Sequence, residues 1–328
     1  MKIAIEKYPF VFSEKIGPYI FLKRLSKSLK IKYDITNILN PFYDIGLFTS
    51  TSKSIYNKPY VLRIGGVYFD KNNTIQDTVS SNQKIFNSIN NSIGVIFVSE
   101  FTKKLVLKLY KEFNKKNIVI NNAVPLDVFK PSGNNKREEL GINENDFVIV
   151  ASASWRRHKR LEEIIEFFFR IKKKNKFKLL ILGNVQNKIF DNDIIYTGNI
   201  NPIFLPDWYR TGNLFLNLSW LDHSPNTLAE AIACGLPCLS SNNGGTKELI
   251  ESCNAGIVSQ VDETYNYEMV DYYNPVKPNF SILENDFYKI FKNYNFYKNN
   301  IHFTNVSIDN ASVKYIDFIT RCWNENNR

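Results

Sequence analysis

Residues 214–250 read LFLNLSWLDHSPNTLAEAIACGLPCLSSNNGGTKELI. Leu214, Leu216 and Leu218 alternate with less apolar positions, the period of a strand that ends near Ser219. Ser224 is placed to cap a helix, and Pro225 suits its first position, where a missing N–H costs nothing. That helix runs through Glu230 to about Cys234. Gly235 fits the left-handed residue just past its end, and Pro237 prevents continuation. A second apolar run, Leu236 to Leu239, leads to Asn243-Gly244-Gly245 and another helix start. Strands alternating with helices at this spacing point to an α/β fold with a parallel sheet.

The start of the first helix carries the chemistry. The amides of Asn226, Thr227 and Leu228 lack intrahelical partners and sit at the positive end of the helix dipole, which makes a phosphate site. Asp222 and Glu230 bracket it with seven residues between them. Two carboxylates beside a phosphate site suit sugar hydroxyls better than the phosphate itself. The competing reading is an ordinary capped helix with two solvated acids.

A chain of 328 residues is long enough for two domains, each with its own core. At 44% hydrophobic and 23% charged the composition is globular, which excludes a disordered or fibrous class. The start MKIAIEKYPFVF holds an acid inside its apolar run and no small-residue cleavage site, so it does not read as a signal peptide. No apolar run approaches the ~20 residues needed to cross a bilayer. Cys234, Cys238, Cys253 and Cys322 show no CxxC spacing and His is scarce, so free thiols and no zinc site are expected, and the compartment is expected to be the cytoplasm. The net charge of +10 favours an anionic partner: a nucleotide, an acidic membrane face, an acidic glycan or nucleic acid.

Working outward, residues 1–8 read as a buried strand and 12–18 as a loop, with Gly17 where a backbone could approach a ligand closely. Residues 19–30 form an amphipathic helix whose apolar side is Ile20, Phe21, Leu22, Leu25 and Leu29. Its basic side, Lys23, Arg24, Lys27 and Lys30, faces a membrane, an acceptor or simply solvent. Residues 44–48 and 59–64 read as strands. The second ends in Arg63-Ile64-Gly65-Gly66, and the carboxyl end of a strand is where open α/β sheets bind ligands. Arg63, Gly65 and Gly66 are therefore acceptor-side candidates, with Gly17. Residues 93–111 give a strand and a helix capped by Ser99. The stretch PSGNNKREELGINEN, 131–145, is polar and turn-rich, the composition of a linker. It divides a first domain, 1–130, from a second, 146–308. The second opens with a strand at 147–154, then the basic loop Trp155-Arg156-Arg157-His158-Lys159-Arg160, then a helix carrying Leu161, Ile164, Ile165 and Phe168. Cations crowded between a strand end and a helix start suggest a diphosphate clamp. Strands follow at 177–184 and 194–200. Residues 265–300, rich in Tyr, Asn, Phe and Lys, yield no assignment. The last helix, about 309–323, shows Val313, Ile316, Phe318 and Ile319 as apolar positions.

Asp222, then Glu230-Ala231-Ile232-Ala233-Cys234-Gly235-Leu236-Pro237, then Gly244-Gly245-Thr246-Lys247-Glu248 resembles the signature of glycosyltransferase family 4 (glycosyl transferases group 1), enzymes of the GT-B fold. Its pattern is an acid, seven residues, a Glu opening EA-x-A-x-G-x-P, then GG-x-x-E. VIFVSEFTKK (95–104) and NIVINNAVPLDVFKP (117–131) are similar to later segments of the family's first domain, so the resemblance runs from about 93 to 260. It departs at Asp222, where Glu is usual, and in the first domain, which has no His before His158 where many members carry one. The resemblance implies an α/β GT-B protein: two Rossmann-like domains facing a cleft, with the last helix, 309–328, crossing back to the first. It implies a retaining, metal-independent glycosyltransferase that uses a nucleoside-diphosphate sugar, a glycan or lipid-linked acceptor and no cofactor. Lys159 matches the family's diphosphate lysine. The family's arginine position holds Ser154, so that role is carried to Arg156. Glu230 takes the ribose, Asp222 the donor sugar, and Tyr196, Thr197 and Gly198 lie beside the base. Many relatives dock on membranes through the first domain, which bears on the helix at 19–30. The alternatives are a catalytically degenerate nucleotide-sugar-binding protein, or a GT-B enzyme that epimerises a nucleotide sugar or acts on nucleic acid, although no aromatic-interleaved basic motif calls for nucleic acid.

Overall fold

The computed structural model describes residues 1–6, 17–51, 56–173 and 176–328. They form two parallel six-stranded sheets. The first contains β1 (Ile3–Ile5), β2 (Ile35–Asn37), β3 (Ile45–Thr49), β4 (Tyr60–Ile64), β5 (Gly94–Phe97) and β6 (Asn117–Val119), in the order β2-β1-β3-β4-β5-β6. Helices α1 (Gly17–Lys30), α2 (Thr78–Asn90) and α3 (Glu100–Leu109) cover it. The second contains β7 (Phe147–Ser152), β8 (Phe177–Leu182), β9 (Ile194–Tyr196), β10 (Leu214–Asn217), β11 (Cys238–Ser241) and β12 (Gly256–Ser259), in the order β12-β11-β10-β7-β8-β9. Its helices are α4 (Leu161–Lys172), α5 (Leu205–Arg210), α6 (Asn226–Ala233), α7 (Thr246–Ser252), α8 (Phe280–Lys292) and α9 (Tyr294–Asn299). No described helix is long and apolar enough to cross a membrane.

Strands β1, β3, β4 and β5 are buried at every residue, as parallel strands covered on both faces must be. One face of the first sheet packs under Phe21, Leu25 and Ile319; the other lies under Ile85, Phe86 and Leu105. The last helix, α10 (Ile308–Asn326), returns from the second half to the first. There Ser28 Oγ donates to Asp309 Oδ1 at 2.7 Å, and the rings of Phe21 and Tyr315 lie 5.9 Å apart. Its inner face is Ile308, Ala311, Tyr315, Ile316, Phe318 and Ile319; Val313 points outward and is 49% exposed.

Several expectations change. The stretch 131–145 is largely exposed and is anchored to the second half: the Arg137 guanidinium donates to Thr211 O at 3.1 Å and Asn143 O at 2.9 Å, and also to Asn213 Oδ1. Ser224 caps nothing. Pro225 takes the cap position of α6 in extended backbone, and the Ser224 amide is drawn to Asp222 Oδ1 at 3.1 Å instead. The unassigned region contains α8, whose cap Asn279 accepts from the amides of Ser281 and Ile282. The loop expected at 12–18 lies outside the described residues up to 16, and Gly17 opens α1.

In the second sheet the chain runs from β7 outward through β8 and β9, then returns to β10 on the other side of β7. That reversal opens a crevice at the carboxyl ends of β7 and β10, the place where such sheets bind ligands. The carboxyl-end loops of the first sheet lie against those of the second. Ser99 caps α3 as expected, and Glu248 of α7 reaches across to the same helix start, accepting from the amides of Glu100 at 2.8 Å and Phe101 at 2.9 Å and from Asn121 Nδ2 at 3.1 Å. Asn122 Nδ2 donates to Ser224 O at 2.8 Å, and the Val270 amide to Phe69 O at 2.9 Å. Replacing Glu248 by Ala removes the acceptor of two first-turn amides of α3 and a cross-sheet tie together. It should cost about 1–2 kcal/mol and lower the thermal midpoint by several degrees; an unchanged midpoint would show that the tie contributes nothing.

Candidate functional site

The crevice is lined by the loop after β7 and the loop after β10. In the first, residues Arg157–Lys159 make one 3-10 turn, and Arg160 follows in the left-handed region at φ 56°. The turn sends its four cations in different directions. Arg157 forks onto Glu163 at 2.7 and 2.9 Å. Arg160, wholly buried, forks onto Asp262 at 2.7 and 2.9 Å and also reaches Val276 O, so it staples both ends of the 262–276 segment. Lys159 pairs with Asp222. Arg156 is exposed and forms no salt bridge among the described residues. Of the two cations assigned to the clamp, one is open to an incoming anion and the other sits on the expected sugar-binding acid.

Asp222 is thus held by two donors, Lys159 Nζ on Oδ2 and the Ser224 amide on Oδ1. Burial pushes its carboxyl up, but the Lys159 ammonium more than offsets this and holds it below the usual carboxylate range. The second acid, Glu230, lies one turn into α6 and is also doubly held. Its Oε2 accepts from Tyr209 Oη at 3.0 Å and its Oε1 from Arg24 Nη2 at 2.6 Å. At the start of α6 the Leu228 amide donates to Pro225 O at 3.3 Å, whereas the Thr227 amide has no partner among the described residues. Asn226 shares that first turn.

The expected base-side residues end β9 and follow it. Tyr196 Oη is engaged with the backbone of Ile189, and Thr197 Oγ1 with Ile181 O and Gly198 O, which leaves backbone as the main surface for a ligand. A shallow pocket of about 240 Å³ opens beside Thr197, lined also by Asn199, Ile200, Phe204 and Trp208.

In the first half the candidates divide. Arg63 does not present its charge to a ligand. It is 1% exposed, lies 4.5 Å from the centre of the Phe21 ring, and donates to Tyr315 Oη at 3.1 Å and Asn122 Oδ1 at 2.6 Å. Its position on a fully covered strand turns it into the core. Gly66 does face the second half, but the space over it is filled by protein: a Cβ there would stand 2.6 Å from His223 Cδ2.

His223, Arg24 and Tyr209 are site residues that sequence reasoning missed. The first stands inside the quoted DHSPN loop, next to Asp222. Its Nε2 lies 3.1 Å from Val67 O and its Nδ1 3.1 Å from Thr102 Oγ1, both in the other half. A histidine does therefore approach the first-domain glycine pair, supplied from the opposite side. Among the described residues no group of three His, Cys, Asp or Glu side chains is arranged to hold a metal ion.

Comparison with known proteins agrees with this architecture. Residues 133–267 match the family glycosyl transferases group 1. N-acetyl-alpha-D-glucosaminyl L-malate synthase of Bacillus anthracis is 25% identical over 146 residues, 42% of this chain and 38% of that protein. Alpha-monoglucosyldiacylglycerol synthase of Streptococcus pneumoniae is 22% identical over 172 residues, 48% of this chain and 39% of that one. The matches thus span well under half the length of these relatives. Among solved structures, Anabaena HepE in complex with UDP-glucose superposes with a TM-score of 0.69 at 13% identity, over 98% of this chain and 100% of that one. Sucrose-phosphate synthase from Thermosynechococcus elongatus gives 0.68 at 13%, over 97% and 82%. At these identities the likeness establishes the fold, which is GT-B.

Two buried histidines make the site sensitive to acid. His158 stacks on Tyr272 with ring centres 4.5 Å apart, and burial, aided by the Lys159 charge, pushes it down to about 3. His223 is pushed by burial down to about 4, against the pull of Asp222. Both folded values lie below the unfolded value near 6.5, so the unfolded chain binds protons more tightly. The stability held by the neutral rings is complete above pH ~6.5 and is lost as pH falls toward 4 and then 3, at about 1.4 kcal/mol per pH unit for each ring. Replacing His158 by Phe, which keeps a ring against Tyr272, should flatten the fall in urea-unfolding free energy between pH 6 and 4. Parallel slopes for the variant and the wild type would contradict this.

Proposed function

We propose that this chain, which carries a glycosyl transferases group 1 segment at residues 133–267 on a GT-B scaffold, is a retaining, metal-independent glycosyltransferase. It moves a hexosyl group from a nucleoside-diphosphate sugar to a glycan or lipid-linked acceptor. One observation carries the reading: at the β7–β10 crevice the Lys159–Asp222 pair, the exposed Arg156 and the start of α6 converge opposite the Gly65-Gly66 loop. Cations and a helix start suit a diphosphate, and acids within a few residues suit sugar hydroxyls. The relatives support the class of ligand: the Anabaena structure holds UDP-glucose, and the streptococcal relative is named for placing glucose on diacylglycerol.

In this reading Arg156, Lys159 and the Thr227 amide receive the diphosphate, and the ribose lies on Glu230. The base lies along Tyr196–Gly198, with Asn226 and Leu228 in the helix turn behind the phosphates. Asp222 accepts hydroxyls of the donor sugar. Lys159 has three N–H donors, so it can hold Asp222 and a phosphate oxygen together. The bond from the anomeric carbon to the phosphate oxygen breaks while the acceptor oxygen bonds to that carbon from the same face. The acceptor proton passes to the departing phosphate. The cations and helix dipole are worth most where negative charge grows on the leaving group. Lys23, Lys27 and Lys30 remain exposed on α1 and are the part of that helix suited to an anionic membrane, Arg24 being turned inward.

A second reading, nucleotide-sugar binding without transfer, draws on the shorter Asp222 arm tied to Lys159. Asp222→Asn separates the two. On the transferase reading it lowers turnover by roughly 100-fold or more while nucleotide affinity stays within a few-fold; wild-type protein that releases no nucleoside diphosphate with any donor and acceptor pair would favour the second. Thermal-shift screening with UDP, GDP, ADP and their sugars is the first measurement. A ligand at 100 times its Kd adds about 2.7 kcal/mol, and no shift with any of them would overturn both readings. EDTA should leave the rate unchanged; a rate lost to EDTA and restored by a divalent cation would refute metal independence.

A further inference from the structure

Arg24 belongs to α1 in the first half, yet its guanidinium ends against α6 in the second. Nη2 donates to Glu230 Oε1 at 2.6 Å, and Cζ lies 4.9 Å from the centre of the Phe129 ring. Phe129 is buried on the stretch that joins the two sheets, so the arginine is steered by an aromatic face before it meets its acid. The Arg24 and Glu230 side chains are 15% and 5% exposed. Nη1 of Arg24 is buried and has no hydrogen-bond partner among the described residues. On the far side, Glu230 Oε2 accepts from Tyr209, which is fully buried and also within 3.3 Å of Ser152 Oγ.

A carboxylate held by one donor can still rotate about its last bond. Held by two, one on each oxygen, its remaining lone pairs point in fixed directions. Here one holder comes from the same domain and the other from across the cleft. We propose that Arg24 is a positioning residue for ribose recognition. From the opposite domain it sets the Glu230 carboxylate so that its remaining lone pairs receive the ribose hydroxyls. The inference rests on the assignment of Glu230 to the ribose. It adds that the ribose site is complete only when the two halves are docked, so closure and ribose recognition are one event.

The test compares ribose with deoxyribose. Kd is measured by calorimetry for UDP, GDP and ADP and for their 2′-deoxy forms, on wild type, Arg24→Ala and Arg24→Lys. Loss of one hydroxyl bonded to a charged acceptor should weaken wild-type binding about tenfold. In Arg24→Ala that ratio should fall to about twofold or less, with Arg24→Lys between the two, whereas a merely structural loss would weaken ribo and deoxy forms alike and leave the ratio unchanged. If Arg24→Ala does not fold, Arg24→Gln, uncharged and too short to reach Glu230 but retaining the side-chain stem, carries the same comparison. An unchanged ratio overturns the inference and leaves the donor-site reading standing. A wild type that binds nucleotides with no preference for ribose removes Glu230 from the ribose and the inference with it. A wild type that binds none of them overturns the donor-site reading itself.

Discussion

Three glycines clasp the Asp222-His223 step, two against its backbone and one against the His223 ring, and the arrangement of the cleft follows from that clasp. On one side the Gly245 amide donates to Asp222 O at 2.7 Å; a Cβ on Gly245 would stand 2.0 Å from His223 O, and one on Gly244, at φ 103°, 2.7 Å from Asp222 O. On the other side Gly66 admits the His223 ring, whose two nitrogens then reach Val67 and Thr102. Any side chain at Gly66 or Gly245 would force the two halves apart or lift the loop, because interiors at this density have no slack. The direction in which Asp222 points is therefore set jointly by both halves, and Lys159 is left to meet it.

The basic loop shows how a sequence with net charge +10 keeps its cations from acting alike. Arg160 is an internal staple, Arg157 a tie to its own helix, Lys159 the partner of Asp222, and Arg156 the outward charge. Arg24 and Arg63 repeat the division in the first half, one spanning the cleft to Glu230 and the other sealed beneath Phe21 and Tyr315. The buried pairs Arg160–Asp262, Lys159–Asp222 and Arg24–Glu230 are costly to break by removing one partner, since the other charge is left without compensation. The pairs are thus better understood as fixing geometry than as adding stability.

Most of the second half was legible because its signals are local. Alternating leucines, Gly235 with Pro237, and cations between a strand and a helix each act within a few residues, and the strands and helices stand where those signals put them. What was not legible depends on partners far along the chain. The basic side of α1 looked uniform, and only the fold, which brings Glu230 from 206 positions away, singles out Arg24. Arg63 stands at a strand end where a ligand group was expected, but helices cover that strand on both faces and its guanidinium is held internally by Tyr315 and Asn122. Ser224 has the right side chain for a cap, but α6 starts one residue later, with Pro225 in the cap position. The 262–276 segment has no helical or strand period because its shape comes from Arg160 at both ends and from backbone pairing with Phe69 and Lys71 in the middle.

On the proposed function, a nucleoside diphosphate lies in the β7–β10 crevice with its charge on the basic loop and its ribose on the doubly held Glu230. A crystal structure with a bound nucleoside diphosphate tests it most directly. Phosphate oxygens are expected within hydrogen-bond distance of Lys159 and the Thr227 amide, and a ribose hydroxyl on Glu230 with Arg24 still in place. A nucleotide seated elsewhere, or a ribose turned away from Glu230, would contradict it.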